Sequence, residues 1–170
     1  KGERAVVRWG VTAGADVNEA MDDGVMPLFI AAQEGHEAVV RALIEAGADV
    51  NKARDDGWTP LLMAAQNGHE AVVRALIEAG ADVNEAMDDG VMPLFIAAQE
   101  GHEAVVRALV QAGADVNKAS NDGATPLYIA AHNGQEAVVR ALIEAGADVN
   151  EAMDDGVMHL FITAQNGSYA

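Results

Sequence analysis

Three histidines, His36, His69 and His102, recur in the sequence, each after a glycine and before a glutamate in "GHEAVV". Imidazoles beside carboxylates are raw material for a zinc site, so their spacing decides. A zinc-protease helix needs a second histidine four residues after the first, and here that position is valine. The histidines are 33 residues apart, and elements stacked at roughly 8–10 Å cannot bring such rings to one ion. Carboxylates also come in pairs: Asp22-Asp23, Asp55-Asp56, Asp88-Asp89 and Asp154-Asp155. They lack the alternating oxygen donors and distal Glu of a calcium loop, and Asp followed by Gly is turn chemistry. Ser120 and Ser168 have no patterned His and Asp partners, and no phosphate-cradling glycine loop is present. The reactive side chains are repeated rather than convergent. That pattern argues against an enzyme and calls for neither metal nor cofactor.

The elements that carry these residues repeat too. Asp-Gly returns at Asp23, Asp56, Asp89, Asp122 and Asp155, and "GADVN" at Gly14, Gly47, Gly80, Gly113 and Gly146, every 33 residues. Full units run 21–53, 54–86, 87–119 and 120–152, flanked by half units at 1–20 and 153–170, so the whole of 1–170 reads as a single repeat domain. Within a unit, Pro27 suits a first helical turn, because its missing N–H has no partner there anyway. "LFIAAQ" is a short apolar helix stopped at Gly35. A second helix from Glu37 puts Val39, Val40, Leu43 and Ile44 on one face, with Glu37, Arg41 and Glu45 four residues apart on the other. Helices this short hold only by stacking on neighbours.

The stretch Asp55–Asn84, "DDGWTPLLMAAQNGHEAVVRALIEAGADVN", resembles the ankyrin repeat. The resemblance rests on the Asp-Gly turn, Thr59-Pro60-Leu61, Ala64-Ala65, Gly68-His69, the "VV..L" second helix and the final "GADVN". It implies a mainly α solenoid of stacked helix-turn-helix units with β-hairpin-like fingers. It also implies that the recurrent His is architectural, in the turn between helices. By the same resemblance, Asn51, Asn84, Asn117 and Asn150 match the pattern accepted by asparaginyl hydroxylases, while the plain reading has each Asn bonding hairpin backbone.

Ankyrin arrays usually bind proteins with their fingers and first helices. Carried over unit by unit, the finger positions are Asp22, Val25, Asp55, Trp58, Asp88, Val91, Asn121 and Ala124, with Asp154 and Val157 in the last half unit. The helix positions are Gln33, Glu34, Gln66, Asn67, Gln99, Glu100, Tyr128, His132 and Asn133, with Gln165 and Asn166 following. Trp58 at a finger is a natural anchor for a partner, since buried aromatics dominate interfaces; folding over the neighbouring hairpin is the alternative. An acidic and amide groove with one aromatic suits a segment carrying Lys or Arg between apolar residues.

Composition points the same way. The 170 residues carry a formal charge of −17, which disfavours nucleic acid and anionic membrane surfaces. Cysteine is absent, excluding disulfides and thiolate metal sites and according with the cytosol. Two further readings stay open: a structural spacer contacting through the second helices or the ends, and the targeting arm of a larger multidomain enzyme or effector. The ends carry no deliberate polar cap, so a longer array, or flanks from another chain, is expected. Thr59 and Thr125 are replaced by Met26, Met92 and Met158 in alternate units, giving a superperiod of 66 residues and helix starts without a side-chain cap. Met21, Val25 and Met26 form either a seam between fingers or a pliable partner contact.

Overall fold

The computed structural model describes residues 16–21 and 24–150. Among them are eight helices, in pairs, and no strand. They are α1 (Pro27–Gln33), α2 (Glu37–Glu45), α3 (Pro60–Gln66), α4 (Glu70–Glu78), α5 (Pro93–Glu100), α6 (Glu103–Gln111), α7 (Pro126–His132) and α8 (Glu136–Glu144). The chain forms two compact units, residues 1–82 and 83–170.

In the first unit α1 packs on α2 and α3, and α4 packs on α3 and α2. The core is small and aliphatic: Leu28, Phe29, Val40, Leu61, Leu62, Val72 and Leu76 are all buried. Many alanines at the contacts, Ala31, Ala32, Ala64 and Ala65 among them, let the first helices approach closely. The second unit repeats the scheme, with α5 on α6 and α7, and α8 on α7 and α6. Leu94, Val105, Val106, Leu109 and Leu142 fill its core. No helix among the described residues is long and apolar enough to cross a membrane.

Each element starts and stops for local reasons. Proline stands at the first turn of α1, α3, α5 and α7. Thr59 accepts the Leu62 N–H, and Thr125 the Tyr128 N–H, each at 3.2 Å. Met26 and Met92 make no side-chain cap, but they are 2% and 1% exposed. Those two methionines therefore exchange a capping oxygen for buried apolar surface, whereas Met21 is 70% exposed. Glycine is needed at two kinds of place. Gly35 has φ +72°, and a Cβ there would lie 2.6 Å from the His69 ring; Gly47 has φ +91° with open space around it.

The fingers are tight turns, each held by a glycine N–H donating back to the first finger residue and by a second backbone bond that closes the turn. Met21 N–H donates to Val25 O, Arg54 to Trp58, Met87 to Val91 and Ser120 to Ala124, each at 2.9 Å. Stacking is reinforced by asparagine. Asn51 donates Nδ2–H to Gly80 O at 3.2 Å and accepts the Asp82 N–H at 2.9 Å. Asn84 does the same with Gly113 O at 3.3 Å and the Asp115 N–H at 2.9 Å, and Asn117 accepts from Asp148 N at 2.8 Å. These side chains thus bond the loop of the following repeat rather than their own hairpin. Between second helices, Arg41 bridges Glu37 and Glu78, both at 2.9 Å, and Arg107 bridges Glu103 at 2.9 Å and Glu144 at 3.0 Å. Two carboxylates around each guanidinium raise its pKa further above the ordinary range.

Candidate protein-interaction site

The histidines of the inter-helix turn act between repeats. His69 Nε2 lies 2.9 Å from Gln33 O, and because a carbonyl only accepts, Nε2 carries the hydrogen. Gly35 leaves room for that ring. In the second unit Gln135 takes the equivalent place, its Nε2 3.5 Å from Gln99 O, while Asn133 donates to the same oxygen at 3.1 Å. No group of three or more His, Cys, Asp or Glu suited to a metal ion occurs among the described residues.

The second unit gathers several of the expected contact residues into one groove of ≈ 490 Å³. The finger before α5 contributes Asp89 and Val91, α5 contributes Phe95 and Gln99, and the next finger contributes Ser120, Asn121, Asp122 and Ala124. Tyr128, Ile129 and His132 of α7 close the opposite wall. The Tyr128 and His132 rings stack with centroids 6.1 Å apart and planes at 23°. The finger frame is tied across repeats: Asn121 N–H donates to Asp89 O at 2.9 Å, and its Nδ2–H to Asp88 O at 2.8 Å. Asp122 accepts from Ser120 Oγ at 2.5 Å and from the Ala124 N–H at 3.3 Å. The Ser120 hydroxyl, followed by the Ala124 amide, holds the Asp122 carboxyl below its ordinary range, so it stays ionised.

The first unit is arranged differently at the same repeat positions. Arg54 lays its guanidinium over the Phe29 ring, 5.0 Å from the centroid. Asp56 accepts from both Arg54 Nε, at 2.8 Å, and Nη2. That fork lowers the Asp56 pKa. Trp58 is half-buried on this finger, its amide donating to Asp56 Oδ1 at 3.4 Å.

Of the expected contact residues, Val91, Gln99, Asn121, Ala124, Tyr128 and His132 meet in the groove of the second unit. Asp88, Glu100 and Asn133 are exposed; the Asp88 backbone carbonyl accepts from the Asn121 side chain, and the Asn133 side chain donates to Gln99 O. In the first unit Glu34, Asp55 and Asn67 are exposed and Gln33, Trp58 and Gln66 half-buried, whereas Val25 is buried, 7% exposed. Asp22, Asp154, Val157, Gln165, Asn166 and Met158 lie outside the described residues, as do most of the first half unit (1–15) and the whole of the last (153–170). Asp89, Phe95, Ser120, Asp122 and Ile129 also line the groove and lie outside the expected set. The signal was available in the finger register, because Ser120 and Ala124 are small where Arg54 and Trp58 are large.

Short helix pairs stacked through repeated asparagine and small-residue contacts define a helical repeat solenoid. The family model described as "Ankyrin repeats (3 copies)" matches residues 1–87 and again 85–153. The chain belongs to the ankyrin-repeat family, whose repeats are in general protein–protein interaction modules and typically non-catalytic. A comparison with curated proteins returned no match.

Proposed function

We propose that this protein is a non-catalytic scaffold that captures a basic segment of a partner protein on its fingers and first helices. The observation that supports this reading best is the groove of the second unit. It combines an apolar floor of Phe95, Ala124 and Ile129 with the carboxylates of Asp89 and Asp122 and the amides of Gln99 and Asn121. Such a surface matches a side chain with an apolar stem and a cationic head. The net charge of −17 extends the attraction beyond contact range and steers basic partners inward at low salt. Arg41 and Arg107 of the second helices, by contrast, are engaged by carboxylates of their own and the next repeat. That engagement weighs against the second-helix face as the main docking surface. Trp58 contributes an aromatic contact in the first unit.

The test is binding of basic twelve-residue peptides to the chain and to two variants, Trp58→Ala and the double reversal Asp89→Lys, Asp122→Lys, which inverts the groove's own carboxylates. Affinity is expected to fall at least tenfold in the double reversal and severalfold in Trp58→Ala, with the circular dichroism spectrum unchanged. Equal affinity in all three proteins would sink the reading in favour of a spacer that uses other surfaces.

A further inference from the structure

The two units contain an internal comparison. The finger and first helix of 21–34 and of 87–100 are identical in sequence, so Phe29 and Phe95 sit on the same scaffold. The repeats facing them, 54–86 and 120–152, differ at only seven positions, and the second helix and loop from Glu70 to Ala86 are unchanged in Glu136 to Ala152. Six of those seven differences, Ser120, Asn121, Ala124, Tyr128, Ile129 and His132, line the groove. Divergence between these copies is thus confined almost wholly to one surface.

What the changes do is legible in the first unit. There, Arg54 covers Phe29 and is held by the Asp56 carboxylate, and Phe29 is 1% exposed. In the second unit Ser120 stands at the position of Arg54, Ala124 at that of Trp58, and Phe95 is 7% exposed. The acceptor survives: Asp122 occupies the Asp56 position and Asp89 adds a second carboxylate to the rim. Ring and carboxylate are the two groups that bind the guanidinium in the first unit.

Resting on the proposed capture of a basic segment, we infer that the groove of the second unit is an arginine-binding site. A partner arginine lies over Phe95 and donates to Asp122, as Arg54 does over Phe29 with Asp56. Arginine is preferred over lysine because the planar guanidinium stacks on a ring face and forks onto a carboxylate at once. The Tyr128–His132 stack forms the wall against which the neighbouring apolar residue of the segment rests.

The experiment uses the full chain and synthetic twelve-residue peptides with randomised flanks and arginine, lysine or citrulline at the centre, read by fluorescence anisotropy. Arginine peptides are expected to bind at least tenfold more tightly than their citrulline counterparts and measurably more tightly than lysine ones. Ser120→Arg, which restores the residue of the first unit, should plug the groove and weaken arginine peptides at least tenfold. Gln135→His, which restores the first-unit residue at the one differing position outside the groove, should stay within twofold of the wild type. Ser120→Arg copies a residue that the same scaffold already carries at position 54, so its fold is retained, and circular dichroism checks it. Basic peptides that bind the wild type and Ser120→Arg alike would overturn the arginine site while leaving the broader acidic-face reading standing. No binding of any basic peptide would overturn both.

Discussion

Replacing Met92 by Thr sets two forces against each other. The backbone is ready for a cap: Met92 has φ −112° and ψ 166°, close to the −91° and 163° of Thr125, which does cap its helix. A threonine at 92 is placed to accept the Phe95 N–H, worth about 1 kcal/mol. Against this, Met92 is 1% exposed, and threonine is shorter by two heavy atoms. At about 0.8 kcal/mol per buried methylene-sized group, the lost burial costs about 1.6 kcal/mol. A residual cavity of roughly 40 Å³ adds about 1 kcal/mol at ~24 cal/mol per Å³. The expected balance is a net loss of about 1.5 kcal/mol. Met92→Ala, with neither cap nor volume, should be worse by about a further 1 kcal/mol. Urea unfolding at constant m-value reads the stability, and amide exchange at Phe95 reads the cap directly. A Met92→Thr protein more stable than wild type by about 1 kcal/mol would refute the reasoning, since buried methionine would then contribute nothing.

Other outcomes follow from the same contacts. Asn84→Ala removes two bonds to the next repeat and should cost about 1–2 kcal/mol in urea unfolding. Gly35→Ala should destabilise more than Gly47→Ala, because both need positive φ but only the first meets a ring, that of His69; thermal melts of the two variants compare them. The Asp56 and Asp122 carboxyls have lowered folded pKa values, through Arg54 and Ser120 respectively. Their contribution is therefore complete above the unfolded carboxylate range and is lost as pH falls through that range towards the lowered folded values. Ser120→Ala should make the acid-side decline in stability shallower, measured by thermal melts from neutral pH downwards.

Most of the fold was legible because period and local punctuation agree. The 33-residue spacing, the proline at each first turn and the glycine after each helix name the same boundaries that the hydrogen bonds draw. The uncapped starts at Met26 and Met92 followed from side-chain chemistry alone. Their burial did not, since it depends on neighbours that a repeat pattern leaves unspecified. The asparagines show the same limit: an Asn after Asp-Val reads as local turn chemistry, yet its partners lie 29 and 31 residues away. The expected contact positions were legible as a register, but the groove was not. Attention fell on the large Trp58, whereas the groove forms where Arg54 and Trp58 give way to Ser120 and Ala124. A sequence advertises its bulky residues, but an open surface is made by the small ones.

The most direct measurement of the central claim is an amide chemical-shift map of the chain titrated with an arginine-centred basic peptide. The account predicts saturable shifts at Asp89, Val91, Phe95, Gln99, Asn121, Ala124, Tyr128 and His132, with α6 and α8 undisturbed. Shifts confined to the second helices, or spread evenly over the acidic surface without saturating, would contradict it.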